Sequence, residues 1–406
     1  MKSRTFDPSA AFVISITLLI LFGMLFSRGT HAQTEPPITT IDATDAGTTN
    51  GQGTWATAIN AAGVIGGYFL DSNFGCHAFV RKPDGTFTSF DGPTGCPIPA
   101  SINQRSVVTG TYADRSLGCS AGQPDNPPGC GGFHAFTRNP DETFVSFDAP
   151  TALSNSLEPS GNSNPGTLPR SINSAGEITG IYTRCDQSSC NSSFLWTPDG
   201  TFVSFDPPNA NPYNFIGANS VNAEGAIVGT FADRNTGVFH GFLRAPDGTF
   251  TIIDGPGVNQ GAGGSTGATA INSRGEILGG FSTTNAGPHH SYLRSPDGAF
   301  TVFDFPGACD SCTQSMGLNG RGTVVGMYFT PTSGGFFAIR GFLRTADGAF
   351  TSFDLPDGHQ FASLSPAINS SNAVVGTYFD TNGVAHGFLR PGRHDYNELW
   401  PSKAGQ

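Results

Sequence analysis

Ser220-Val221-Asn222-Ala223-Glu224-Gly225 leads through Ile227-Val228-Gly229-Thr230-Phe231 to His240-Gly241-Phe242-Leu243-Arg244, then Pro246-Asp247-Gly248 and Phe250-Thr251-Ile252-Ile253-Asp254. Short apolar runs separated by turn residues read as four strands, here called A to D. The same succession recurs seven times along the chain. Its asparagine falls at Asn60, Asn103, Asn173, Asn222, Asn272, Asn319 and Asn369, with spacings of 43, 70, 49, 50, 47 and 50. A period of about 45 to 50 residues carrying four short strands predicts one propeller blade per repeat.

The turns carry their own signals. Between A and B stands Asn-x-x-Gly, as in Asn222 to Gly225, where asparagine starts a turn and glycine accepts positive φ. Between C and D stands Pro-Asp-Gly, as in Pro246 to Gly248. There proline presets the first turn position and glycine closes a type I turn with a bulge. These turns predict an all-β chain with seven four-stranded blades at 58–91, 101–148, 171–206, 220–254, 269–304, 316–354 and 367–390. The seventh repeat lacks a clean fourth strand. Ile38-Thr39-Thr40-Ile41-Asp42 supplies the missing pattern at the other end of the chain, so residues 38–42 are expected to complete the last blade and close the ring.

These motifs resemble the extracellular repeat proteins of the HAF family. The family's tripeptide stands here as His77-Ala78-Phe79 and His134-Ala135-Phe136, and the likeness runs over nearly all of 38–390. Other repeats depart from it, with Gly or Ser in the middle and Ser192 or Arg340 in place of the histidine. The resemblance implies export and a repeat architecture, and it implies no activity.

The first 32 residues read as a signal peptide. Lys2 and Arg4 precede an apolar run from Ala11 to Phe26, and Thr30-His31-Ala32 offers a cleavage site. The run is short for a bilayer span, which takes about 20 residues, so no stable membrane insertion is expected after cleavage. The domain is then 33–406. Cleavage removes three cations and one anion and leaves 17 cations against 30 anions, a net charge of −13. Such a surface repels nucleic acid. Charged residues make up only 13% of the chain while 34 are Phe, which suits a turn-rich β protein with ample core. The reading places the protein outside the cell, at its surface or in a periplasm.

Five histidines occupy one repeat position: His77, His134, His240, His290 and His386. On strands of different blades they lie too far apart to share a metal, which needs ligands within about 2 Å of one ion. An aspartate follows 14 residues after the first four, at Asp91, Asp148, Asp254 and Asp304. The C–D hairpin register places each His across from its Asp. Arg340 with Asp354 and Ser192 with Asp206 keep the separation, and His386 is expected to meet Asp42. The expectation is a structural clamp in each blade, with no catalytic residue, metal or cofactor assigned. Glycines such as Gly229 and Gly376 sit inside strands without a following helix, so they do not read as a phosphate loop. Close packing of blade on blade is the reason expected for them.

Length variation falls on one side. A–B and C–D links are tight, whereas B–C and D–A links are long at 113–132, 149–169, 306–314 and 330–338. All eight cysteines lie on that side and read as local disulfides, Cys76–Cys96, Cys119–Cys130, Cys185–Cys190 and Cys309–Cys312. The last pair is a CxxC in an irregular loop, with no second pair to make a zinc site. Loops on a rigid scaffold are where binding surfaces sit. Tyr213, Phe336 and Phe337 are the aromatic candidates to meet a ligand there, a carbohydrate or an extracellular protein. The competing reading is an extracellular propeller lyase or hydrolase acting on a polysaccharide at the mouth of the central channel.

Overall fold

The computed structural model describes residues 37–113, 132–150, 166–183, 191–213, 216–285, 287–331, 337–356 and 366–392. These residues are strand, turn and connection, with helix limited to short 3-10 turns such as Gln260–Ala262. In the fourth repeat the strands run Ile216–Val221, Ile227–Ala232, Phe239–Arg244 and Phe250–Ile253, paired antiparallel in that order. Repeats two to six each form such a four-stranded sheet. The first and last repeats share one eight-stranded sheet, because Gly53 bridges Ala385 in parallel and Thr39–Ile41 pairs antiparallel with Ala385–Arg390.

Strand A starts earlier than its sequence suggests. It runs over Gly53–Ile59, Pro97–Ile102, Thr167–Ile172, Ile216–Val221, Ser265–Ile271 and Thr313–Leu318 in the first six repeats, four to five residues ahead of the expected starts at 58, 101, 171 and 220. The cause is a bulge in each of these strands, for instance between Ala218 and Ser220. An extra residue breaks the alternation of period two, so only the last half of the strand shows the motif.

The phenylalanines build the core by parity. The two Phe residues of Phe-x-x-Phe on strand D point to opposite sheet faces, because side chains alternate along a strand. The first packs inside its own sheet: Phe87 on Phe79, Phe144 on Phe136, Phe202 on Phe194 and Phe250 on Phe242, with centroids 4.9–5.9 Å apart. The second faces the next sheet and lies beneath its strand C arginine. Arg138 sits over Phe90 at 4.7 Å, Arg244 over Phe205 at 4.8 Å, Arg344 over Phe303 at 4.6 Å and Arg390 over Phe353 at 5.4 Å. A guanidinium over an aromatic face is attractive and tolerates the burial seen at Arg138, Arg344 and Arg390.

Asparagine joins the repeats on the tight-turn side. Each repeat asparagine accepts its own turn's backbone N–H four residues on, from Val64 at Asn60 to Ala373 at Asn369. Its Nδ2 donates to the carbonyl of the next repeat's asparagine: Asn60 to Asn103, then Asn173, Asn222, Asn272, Asn319 and Asn369, at 2.8–3.3 Å. Asn369 donates to the Asn60 carbonyl at 3.1 Å, so the relay returns to its first member. All seven are buried.

The glycines of strand B have a different reason from the expected one. A Cβ on Gly229 would collide with the Gly217 carbonyl oxygen on strand A and lie 2.7 Å from the Phe242 ring on strand C. Gly67, Gly279 and Gly326 meet the same pair of obstacles. The restriction comes from within each sheet, not from the neighbouring one.

Turn chemistry fits with a few exceptions. Gly248 at φ +91 closes the C–D turn of repeat four, and Glu142 takes that place in repeat two at φ 72. A non-glycine residue there costs about 1 kcal/mol. Glu142→Gly is expected to raise stability by about that amount, read as a higher denaturation midpoint. Glu142 is itself exposed, so its contact with the buried Arg138 at 3.6 Å offsets little of it.

Candidate functional site

The face opposite the tight turns is edged by one polar pair per repeat. His77 Nδ1 lies 2.6 Å from Asp91, His134 Nδ1 2.6 Å from Asp148, His240 Nδ1 2.6 Å from Asp254 and His290 Nδ1 2.7 Å from Asp304. Ser192 Oγ donates to Asp206 at 3.2 Å, and Arg340 Nε meets Asp354 at 3.1 Å. His386 Nδ1 meets Asp42 at 2.9 Å, across the two ends of the chain. Each pair joins strand C to the end of strand D, so the pairs are spread one per repeat and do not converge. Among the described residues no three His, Cys, Asp or Glu side chains gather as a metal requires.

Several histidines have a second carboxylate behind the ring. Asp71 lies 3.7 Å from His77 Nε2 and Asp380 lies 3.9 Å from His386 Nε2. In repeat four, Asp233 accepts the backbone N–H groups of Asn235 and Thr236, with the Thr236 amide foremost in holding its carboxyl below the usual carboxylate range. His240 is buried and bonded to Asp254. Its hydrogen bond to Asp254 is the main cause that raises its pKa above the ordinary value, and the charge of Asp233 acts on it in the same direction. A raised folded pKa adds stability that is complete below the unfolded value, about 6.5, and lost as pH rises through the folded one. The stability difference between the wild type and His240→Gln is therefore expected to shrink as pH is raised from about 6 to 8.5, read from thermal midpoints.

Among the described residues two disulfides lie on this face. Cys76–Cys96 ties the start of a C strand to the following D–A connection, with Cα atoms 5.0 Å apart. Cys309–Cys312 closes a tight loop before Thr313–Leu318, with Cα atoms 5.1 Å apart. The other two expected pairs, Cys119–Cys130 and Cys185–Cys190, lie outside the described residues, as does Phe336.

Tyr213 sits in a D–A connection and is 66% exposed. Phe337 is 52% exposed but is not in a loop, as the sequence suggested. The hairpin strands Val324–Pro331 and Phe337–Arg344 run on past the usual length, and Phe337 pairs with Pro331. Tyr213 and Phe337 belong to different repeats, and among the described ring contacts none joins them.

One feature lies on the tight-turn side, where no ligand was expected. A cavity of about 750 Å³ opens between repeats two and three, walled by Trp196, Val145 and Pro140 and rimmed by Arg105, Asp141 and Asp199. Its signal was present in the sequence. Trp196 stands where Arg81, Arg138, Arg244, Arg294, Arg344 and Arg390 stand in the other repeats.

No protein-family model and no curated protein matches the chain. Solved structures do. The chain is similar to a streptogramin B lyase, with 13% identity, a TM-score of 0.52 and coverage of 89% of this chain and 99% of that one. It is also similar to virginiamycin B lyase from Staphylococcus aureus, with 12% identity, a TM-score of 0.51 and coverage of 88% and 100%. A catalytically inactive variant of that lyase with quinupristin matches equally, at 12% identity and a TM-score of 0.51. At such identities the likeness carries the fold alone, and that fold is an all-β propeller of four-stranded sheets.

Proposed function

We propose that this chain is an exported binding propeller of the HAF type, without catalytic activity, that takes a carbohydrate or a partner protein on the face bearing its long connections. One observation carries the reading: both described disulfides and the two most exposed large aromatic residues lie on that face. Disulfides are kept in oxidising compartments, which fits export. They order connections that have little core beneath them, as a preformed surface needs.

The scaffold of this reading has seven blades, with residues 38–42 as the outer strand of the last. Four contacts support that closure. Thr39–Ile41 pairs with Ala385–Arg390, and Thr40 Oγ1 lies 2.8 Å from the Tyr378 hydroxyl. Ala43 N–H donates to Thr54 Oγ1, as Ala149 does to Thr167, Gly255 to Thr266 and Phe305 to Thr313 in other repeats. Ile41 also packs with Ile65 and Phe79 of repeat one and Val375 of repeat seven. Asp42→Ala is expected to lower the thermal midpoint, and an unchanged midpoint would count against this closure.

The function is tested by a thermal-shift screen of residues 33–406 against a panel of polysaccharides and candidate extracellular proteins. A ligand of the folded state raises the midpoint in proportion to ln(1 + [L]/Kd). Tyr213→Ala and Phe337→Ala should reduce that shift. A panel-wide absence of shifts, or shifts that both variants leave intact, would remove this face from consideration.

A further inference from the structure

The tight-turn side carries a second feature that the long-connection face does not explain. In most repeats the last residue of the strand C motif is an arginine that covers the phenylalanine of the preceding sheet. In repeat three the position holds Trp196, which stacks on Phe147 with centroids 4.4 Å apart and planes inclined by 15°. The exchange keeps the contact between the sheets and removes the cation that fills the corresponding place elsewhere. Trp196 is half-buried, and its indole is part of the wall of the 750 Å³ cavity.

The rest of the lining has a consistent chemistry. Val145, 40% exposed, and Pro140 extend the apolar wall, while three charged side chains stand at the rim. Arg105 Nη2 donates to the Ala175 carbonyl at 2.6 Å, which fixes the guanidinium across the seam between repeats two and three. Asp141 accepts the Thr143 amide, and Asp199 accepts the Thr197 hydroxyl and the Thr201 amide. These bonds hold both carboxyls below the usual carboxylate range, foremost the Thr143 amide at Asp141 and the Thr197 hydroxyl at Asp199.

We propose that this cavity is a second binding site, for one or two rings of a neutral oligosaccharide stacked on Trp196 and hydrogen-bonded through their hydroxyls to Asp141, Asp199 and Arg105. A sugar ring presents apolar C–H groups on its face and hydroxyls around its edge. The site offers the complement, a flat aromatic wall with acceptors and a donor around it. Two carboxylates at the rim, on a chain of net charge −11, disfavour acidic sugars. The volume lies within the range of about 300–1,000 Å³ usual for small-ligand sites. The proposal does not depend on the opposite face binding anything.

The test is a titration of the full mature chain with neutral hexasaccharides built from glucose, mannose, galactose or xylose. Calorimetry and the intrinsic tryptophan fluorescence give the readouts, with oligogalacturonate and an oligolysine peptide as charged controls. The expected result is saturable heat and a tryptophan signal with at least one neutral oligosaccharide. Trp196→Arg, which installs the residue of the other repeats and so should fold, is expected to weaken that binding at least about tenfold. Asp141→Asn with Asp199→Asn should weaken it too, and this pair serves if Trp196→Arg does not fold. Tyr213→Ala and Phe337→Ala should leave it unchanged, which separates this site from the long-connection face. Binding of none of the neutral probes, binding unaffected by the cavity variants, or binding of the oligolysine alone would overturn the proposal.

Discussion

Asn222→Asp is expected to cost about 3 kcal/mol or more of stability at neutral pH, the scale for a buried charge with no counter-charge. Asn222 is buried and works at both ends. Its Oδ1 accepts the N–H groups of Glu224 and Ala226 at 3.2 and 2.9 Å, and its Nδ2 donates to the Asn272 carbonyl at 3.3 Å. The aspartate keeps the acceptor and loses the donor. A carboxylate oxygen then faces a carbonyl oxygen in a buried place, and both want a hydrogen. The two retained N–H bonds favour the charged form, but burial and that repulsion outweigh them and set the sign with pH. Together they raise the folded pKa of the new carboxyl above its unfolded value of about 3.9. The deficit against wild type is therefore smallest at low pH, where the protonated acid regains an O–H donor, and grows as pH rises through the folded pKa. Denaturant midpoints at about pH 4.5 and 8 check this, and a deficit independent of pH would refute the donor role.

Gly229→Ala is expected to cost about 3 kcal/mol, at the upper end for an overpacked site, because strand A and the Phe242 ring must both give way to one methyl group. Gly241→Ala, on strand C of the same repeat, provides the contrast. A Cβ at Gly241 would lie 3.2 Å from the Ile253 side chain and 3.4 Å from Ala268. The first two repeats already carry Ala78 and Ala135 at the corresponding place, both fully buried. That substitution is expected to change stability by less than about 1 kcal/mol. Equal losses for the two variants would show that the strand B glycine is not constrained by the sheet's own backbone.

What could be read from the sequence and what could not divides along a physical line. Turn-forming residues and strand alternation act over a few residues, so the strands B, C and D and the hairpins joining them are legible in Ile227–Ala232, Phe239–Arg244 and Phe250–Ile253. Strand A is less so, since its bulge shifts the alternation partway along. Phe337 reads as a loop residue because nothing local marks a hairpin that runs on to Pro331. The candidate sites divide in the same way. His77 and Asp91 are joined by one short hairpin, and turn register alone relates them. Trp196 is visible as a departure from six arginines, yet the cavity beside it depends on how two sheets meet.

The sequence by itself determined the repeat: four strands, their turns, and the small, apolar and polar positions within each unit, because these follow from backbone preference and period. Only the tertiary structure decided what joins one unit to the next. Asn60 and Asn103 are 43 residues apart, and no local rule says that the amide of one will reach the carbonyl of the other. The same holds for Arg344 over Phe303 and for the seam that Trp196 opens toward Arg105 and Asp199. Contacts between units depend on the angle and distance at which whole sheets pack, and that is set by the summed shape of many side chains, none of which carries it alone.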